Sequence, residues 1–186
     1  DEARNVDSSD TATAHYRRLK KDFSTLLESG ESVTVPIVLT QLLRFQQLTG
    51  GYIRNDNRVI EHVDQSKMAE LKDILTEMPA DKKVVIFARF IPEVEGIAEL
   101  CAELKRHYVL MHGGILDKGL PVQQFQENPE VTVFIAQVQT GSLGITLTAA
   151  DTVVFYSTTF GYADYEQARA RVHRVGQKSI SVTYIH

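Results

Sequence analysis

The sequence is poor in several features, and each scarcity closes off a class of protein. A single cysteine, Cys101, in 186 residues permits no intramolecular disulfide, and no Cys/His spacing of a zinc site accompanies it. A reducing, intracellular setting fits. No apolar run approaches the roughly 18 residues of a membrane span, and no secretion signal is present, so the reading is a soluble protein, cytosolic or nuclear, with no membrane partner. Positive charge is not in excess: 20 Lys and Arg stand against 24 Asp and Glu, a net charge of −4. That excludes wrapping nucleic acid by bulk charge and leaves room only for a local basic site. The histidines (15, 62, 107, 112, 173 and 186) show no metal-ligand spacing, and no metal is assigned. G-x-x-x-x-G-K-[ST], H-E-x-x-H and G-x-S-x-G are all missing. Without the first, a self-sufficient nucleotide hydrolase is excluded.

What is present is 43% hydrophobic and long enough for one domain with a core plus a small appendage. "DEARNVDSSD" carries no periodicity and reads as a flexible leading segment, residues 1–10. Its Asp1, Glu2 and Ala3 would make a nucleotide hydrolase's acidic box only behind an apolar strand, and none precedes them. Tyr16, Leu19, Phe23, Leu26 and Leu27 recur at helical spacing between Thr11 and Ser29, with Gly30 as a stop. The cations beside them, Arg17, Arg18, Lys20 and Lys21, read either as a solvated face or as a phosphate-contacting patch. A second helix is expected from Pro36 to Thr49. After a polar turn "IRNDNR", Ser66 is expected to cap a third helix ending before Pro79.

From residue 84 the pattern changes. "VVIFARF" is a short, continuous apolar run, followed by a helical stretch (92–107), "YVLMHG", a helix over 120–128, "VTVFIAQ", "TVVFYS", a helix over 163–174 and a last strand, "ISVTYIH". Alternating strands and helices predict an α/β fold, a mainly parallel sheet with helices on both faces. Ligands of such sheets lie beyond the strands' carboxyl ends. The loops there carry Arg89; His112, Gly113 and Gly114; "QVQTGSLG"; and "TTFGY". Several of these residues can bring backbone N–H groups near phosphate oxygens.

"QARARVHRVGQ" places Ala168, Val172 and Val175 on a core-facing stripe and Gln167, Arg171 and Arg174 on a second stripe rotated by about 100°. Arg169 points elsewhere and is expected to be solvated. The second stripe is either a set of surface ion pairs or a guanidinium pair aimed at a transferring phosphoryl group. In "TGSLGITL", Gly141 and Gly144 allow either close approach to a phosphate or a plain tight turn. The same G-x-x-G spacing occurs in single-strand-binding KH domains, whose element order and length do not fit.

In this order, the pieces resemble the second motor lobe of Swi/Snf-type superfamily two helicase-like ATPases. "QARARVHRVGQ" is similar to the family's last motif, Q-A-x-x-R-x-H-R-[IV]-G-Q, at Gln167, Ala168, Arg171, His173, Arg174, Val175, Gly176 and Gln177. "VFIAQVQTGSLGITLTAADTVVFY", "KKVVIFARF", "LMHGGI" and the lead-in "LLRFQQLTGGY" resemble earlier segments. The chain departs from the pattern at Gln137, Val138 and Gln139, at Thr146, at Phe160 to Tyr162, and at Ala170, where an acidic residue is usual.

The resemblance implies a RecA-like lobe over residues 66–186, ending before its C-terminal brace, preceded by a helical lead-in or insertion over 11–65. It implies that Arg171 and Arg174 are catalytic arginine fingers. Gln167, Gly141 and Gly144 would help position nucleotide, and Arg89, His112, Gly113, Gln139, Thr140 and Ser142 would touch the DNA backbone. ATP and Mg would be bound mainly by a first lobe of the same polypeptide, without which this one is inactive. The short insertions suggest a compact bacterial or phage member, and so a cytoplasmic location; a eukaryotic one would be nuclear. The competing readings are a non-catalytic docking module with the same fold, and an unrelated α/β enzyme with a small-molecule pocket.

Overall fold

The computed structural model describes residues 1–28, 34–55, 57, 59–114, 117 and 119–186, and of residues 141–143 the backbone alone. Two compact units divide the chain: residues 5–70, and residues 1–4 together with 71–186.

In the smaller unit, helices α1 (Asp10–Glu28) and α2 (Val35–Thr49) precede an antiparallel hairpin of β1 (Tyr52–Arg54) and β2 (Ile60–His62). Ser9 starts α1: its hydroxyl accepts from the Ala12 N–H at 3.2 Å and donates to the Val63 carbonyl at 3.1 Å. Pro36 sits in the first turn of α2, where no amide hydrogen is needed. The Tyr16 and Phe45 rings, 5.1 Å apart, tie the two helices. The helix stop expected at Gly30 lies outside the described residues. Where a polar turn was expected, Ile53 and Arg54 pair with Glu61 and Ile60. Three-residue strands are too short to show alternation, and the Asn55 side chain closes the turn by accepting from Val59 N–H at 2.9 Å.

Helix α3 (Ser66–Glu77) is not capped by Ser66 as expected. Ahead of its first turn the Asp64 side chain accepts from both Ser66 N–H and Ser66 Oγ, and its other oxygen accepts from Ser9 N–H. Burial raises the Asp64 carboxyl, but these hydrogen bonds outweigh it and hold it below the ordinary value.

The larger unit is a five-stranded, all-parallel sheet ordered β4-β5-β3-β6-β7, from β3 (Val84–Ala88), β4 (His107–Met111), β5 (Val131–Gln137), β6 (Thr152–Phe155) and β7 (Thr183–Ile185). Every residue of β3 and the first six of β5 are buried. That is why these segments read as near-continuous apolar runs, interrupted only by the buried Thr132: central parallel strands are covered on both faces. Val85 registers with Phe134 on one side and Val153 on the other, and Phe87 with Ala136 and Phe155. These residues form one cluster with Phe125 of α5 (Gly119–Glu127) and with Ala168 and Val172 of α6 (Tyr162–Val172). Each fully buried large apolar side chain contributes roughly 1.5–3 kcal/mol. Helix α4 (Ile91–Glu103) also packs on the sheet, with Ile97 and Cys101 fully buried. Burial pushes the Cys101 thiol up to about 12, so it is an inert core group.

Strand ends differ from expectation in informative ways. The run "VVIFARF" leaves the sheet after Ala88, because Arg89 N–H is taken by side chains and Phe90 already caps α4. Residues 1–4 are not a frayed segment. Glu2 N–H donates to the Tyr184 carbonyl at 2.7 Å, His186 N–H donates to Glu2 O at 2.9 Å, and Glu2 bridges Ile185 in parallel. The acid groups there are taken by cations, Glu2 by Arg4 at 2.7 Å and Asp1 by Arg169 at 3.6 Å, which disposes of the acidic-box reading.

Candidate functional site

Helix α4 carries the chain from β3 to the β4 edge, whereas every later connection runs in the opposite direction across the sheet. This reversal makes the carboxyl end of β3 a topological switch point, the usual ligand position in open α/β sheets. Arg89 stands there, and its backbone is held from both sides. Ser157, just after β6, accepts from Arg89 N–H at 2.7 Å, and Gln137, at the end of β5, donates from Nε2 to the Arg89 carbonyl at 3.2 Å.

Glu93 anchors the β6 side. It is 3% exposed, and its Oε2 accepts from Arg89 N–H, Phe90 N–H and Ser157 Oγ. Placed at the third position of α4, it is the acidic half of a capping arrangement, a signal legible in "FIPE". Gln137 anchors the other side: its Oε1 accepts from Gly113 N–H at 3.2 Å. One side chain thus joins the ends of β3 and β4 from the strand between them. Gln137 was noted in the sequence only as a departure from a pattern; its bridging role depends on strand order.

The Arg89 guanidinium carbon lies 5.3 Å from the centroid of Phe160 and 5.4 Å from that of Phe90. Phe160 is 61% exposed, whereas Arg89 and Phe90 are half-buried, so these cation–π contacts hold the guanidinium at the sheet's end, partly shielded from solvent. His112 follows β4, and its Nδ1 accepts from Gly114 N–H at 3.2 Å. A 3-10 stretch, Val138–Leu143, follows β5 and carries Gln139, Thr140, Gly141 and Ser142. Gln139 is exposed. Thr140 is buried, and its hydroxyl donates to the Gln137 carbonyl, so the expected outward contact through its side chain is not available. The Ser142 side chain lies outside the described residues.

A second cluster forms where α6 meets this loop. Gly144 ends the 3-10 stretch at φ +68°, a left-handed conformation that glycine adopts without strain. Leu147 N–H then donates to the Arg171 carbonyl at 2.8 Å, docking the loop on α6. Helix α6 ends at Val172, and His173 at φ −83°, ψ 81° breaks the screw. Arg174 and Val175 therefore do not continue the two helical stripes. Val175, expected in the core, is 97% exposed, while Ala168 and Val172 are buried as expected. Arg174 instead folds back, its Nη1 lying 3.4–3.5 Å from the carbonyls of Gly144 and Ile145 and from Thr146 Oγ1. At that length these are loose contacts. Arg171 is half-buried on α6, and Gln167 is exposed on the same helix.

Two residues of this motif do work that residue spacing does not reveal. Arg169, expected to be solvated, lies 4.4 Å from the Tyr184 ring and 5.5 Å from that of Tyr165, and pairs with Asp1 and Glu166. It is a structural cation fastening α6 to β7. Gln177 donates from Nε2 to the carbonyls of Ala150 (2.7 Å) and Val172 (3.2 Å) and accepts from Ser179 N–H at 3.0 Å. The turn bearing Arg174 is thereby locked to the segment before β6. Among the described residues no group of three or more His, Cys, Asp or Glu is placed to hold a metal ion, and no helix is long and apolar enough to cross a membrane. The exposed Arg174 guanidinium and the half-buried one of Arg171 are groups that suit anionic oxygens, phosphate among them.

Residues 66–176 match the family described as "Helicase conserved C-terminal domain". The chain is 29% identical over 175 residues to the chromatin-remodeling ATPase INO80 of Schizosaccharomyces pombe, covering 91% of this chain and 11% of that protein. It is 35% identical over 137 residues to the INO80 ATPase of Mycosarcoma maydis, covering 72% of this chain and 7% of that one. The chain thus spans about a tenth or less of the length of these curated relatives. Among solved structures it is similar to the C-terminal part of the Fun30 ATPase domain (TM-score 0.60, 27% identity, 64% of this chain and 39% of that one). The fold also matches the Sulfolobus solfataricus SWI2/SNF2 ATPase core in complex with dsDNA (TM-score 0.75, 22% identity, 99% of this chain and 40% of that one). The expectation of a bacterial or phage member is not borne out, since these curated relatives are fungal chromatin remodellers.

Proposed function

Because the chain belongs to the helicase conserved C-terminal domain family, in its Swi/Snf branch, we propose that it is the second motor lobe of a DNA-dependent ATPase and translocase. In this reading residues 66–186 form the lobe and 11–65 its helical lead-in. ATP is held mainly by the phosphate loop of a first lobe on the same polypeptide, where a magnesium ion would neutralise the phosphate oxygens. This lobe supplies Arg171 and Arg174 as fingers on the charge that develops during phosphoryl transfer, with Gln167, Gly141 and Gly144 positioning nucleotide and fingers. Arg89, His112, Gly113, Gln139 and Ser142, with the Thr140 backbone, would rest on DNA phosphates, contacts that position a strand without reading its sequence. The similarly folded archaeal core was solved on double-stranded DNA, so duplex DNA is the partner to test first. Kinship with chromatin remodellers favours a nuclear location.

The observation that carries the reading is the second cluster. Arg174 lies exposed over the Gly144 turn, and among the described residues its guanidinium meets only neutral oxygens, at long distance, while the backbone of Arg171 is fixed by Leu147. A guanidinium so placed exchanges weak neutral acceptors for an anion at little cost. In the intact protein, Arg171→Ala or Arg174→Ala should lower DNA-stimulated ATP hydrolysis about 10³-fold or more. DNA affinity should stay within about two-fold, since neither residue is assigned to DNA. Wild-type turnover in either variant overturns the assignment.

A further inference from the structure

The smaller unit holds a groove that the motor reading does not use. On α1, His15, Arg18 and Asp22 lie at i, i+3 and i+7, one face of the helix; on α2, Arg44 and Leu48 lie at i and i+4; β1 adds Ile53 and Arg54. All seven line one groove together with Leu19; Leu48 is its buried floor, and the half-buried Leu19 and Ile53 contribute apolar surface. Arg18, Arg44 and Arg54 are exposed and His15 is half-buried. Among the described residues none of the three arginines makes an ion pair within 4 Å, although Asp22 borders the same groove. Bulk charge does not produce this: residues 5–70 carry eight Lys and Arg against nine Asp and Glu. Like charges brought together from three elements repel, and an anion relieves that repulsion.

We infer that this groove is a second nucleic-acid contact, taking phosphodiester groups on Arg18, Arg44 and Arg54 while the sugar edge rests on the half-buried Leu19 and Ile53. Guanidinium forks match phosphate oxygens in geometry as well as charge. Three separate cations spread over an open groove suit successive phosphates along a strand more than one small anion. The inference rests on the proposal that the intact protein binds DNA, and adds a site outside the sheet-end loops.

The test measures binding of the intact protein to a short duplex by fluorescence anisotropy across a salt series, for wild type, the triple variant Arg18→Ala/Arg44→Ala/Arg54→Ala, and the triple Lys variant. Each phosphate contact contributes roughly 0.9 to the slope of log affinity against log salt, so the Ala variant should lose about 2 to 3 from that slope. The affinity drop between 50 and 200 mM salt should then shrink by roughly 40-fold at most, equally for any DNA sequence. The Lys variant should retain most of the slope, which separates charge from misfolding. Wild-type slope in the Ala variant overturns the inference and leaves the motor reading standing, whereas a wild-type protein that binds no DNA overturns both. Competition by polyglutamate at concentrations where DNA does not compete would identify an acidic peptide site and overturn the nucleic-acid assignment.

Discussion

Replacing Gln177 by alanine isolates the lock that holds the Arg174 turn. Its Nε2 serves the Ala150 carbonyl at 2.7 Å and the Val172 carbonyl at 3.2 Å. Val172 O also accepts from Arg174 N–H at 3.1 Å, so it keeps a partner, whereas the Ala150 residue is 1% exposed and its carbonyl cannot easily turn to water. Stranding one such acceptor costs about 1–3 kcal/mol, and a hydrogen bond to the Ser179 amide worth about 1 kcal/mol is lost with it. The expected loss is therefore about 2–4 kcal/mol. At about 2–4 °C per kcal/mol for a chain of this size, the melting temperature should fall by roughly 4–16 °C. Far-UV circular dichroism during heating and during urea unfolding measures both, with the urea slope unchanged. Gln177→Glu should be at least as destabilising at neutral pH, because a carboxylate would face two carbonyl oxygens. An alanine variant within about 0.5 kcal/mol of wild type would show that Ala150 finds another donor, and the locking argument would fail.

Two further outcomes are expected. Gly144→Ala should cost about 1–2 kcal/mol, read as a shift in urea midpoint, since φ is +68° and an added Cβ meets nothing within 4 Å; Gly144→Asn should recover part of it, as asparagine tolerates that conformation. The Asp151 carboxylate is raised by burial but lowered more by hydrogen bonds from Lys82 and Ser179 and by the Lys82 charge, leaving it below its ordinary 3.8. A depressed carboxylate stabilises the fold above its unfolded-state value and stops doing so as pH falls through its folded one. Stability should therefore drop below about pH 4, and Lys82→Met should flatten that dependence by about 1 kcal/mol or less, Lys82 being half-exposed. Urea midpoints between pH 2.5 and 7 measure this, and an unchanged profile in Lys82→Met would refute the pairing.

How far the sequence reached varies with the kind of feature. The near-continuous apolar runs at 84–88 and 131–136 announced doubly covered strands because burial on both faces leaves few polar positions, the buried Thr132 being the one here. The β1–β2 hairpin was not legible, since three residues per strand show no period. Within "QARARVHRVGQ", helical counting placed Ala168 and Val172 correctly and failed at Val175, because the screw breaks at His173. It also misjudged Arg169: the tyrosine on which that guanidinium rests comes from β7, fifteen residues away.

The sequence by itself determined the class of the sheet and the absence of a phosphate loop. These follow from local composition and period, which act over one turn or one strand. Only the tertiary structure decided the order β4-β5-β3-β6-β7, and with it the meeting of Gln137, Arg89 and Ser157 at the switch point. It also folded Arg174 onto Gly144 and gathered Arg18, Arg44 and Arg54 into one groove. Those contacts join residues tens of positions apart, and hydrogen bonding between them depends on which strands become neighbours, a choice made by burial of the whole core and not by any single stretch of chain.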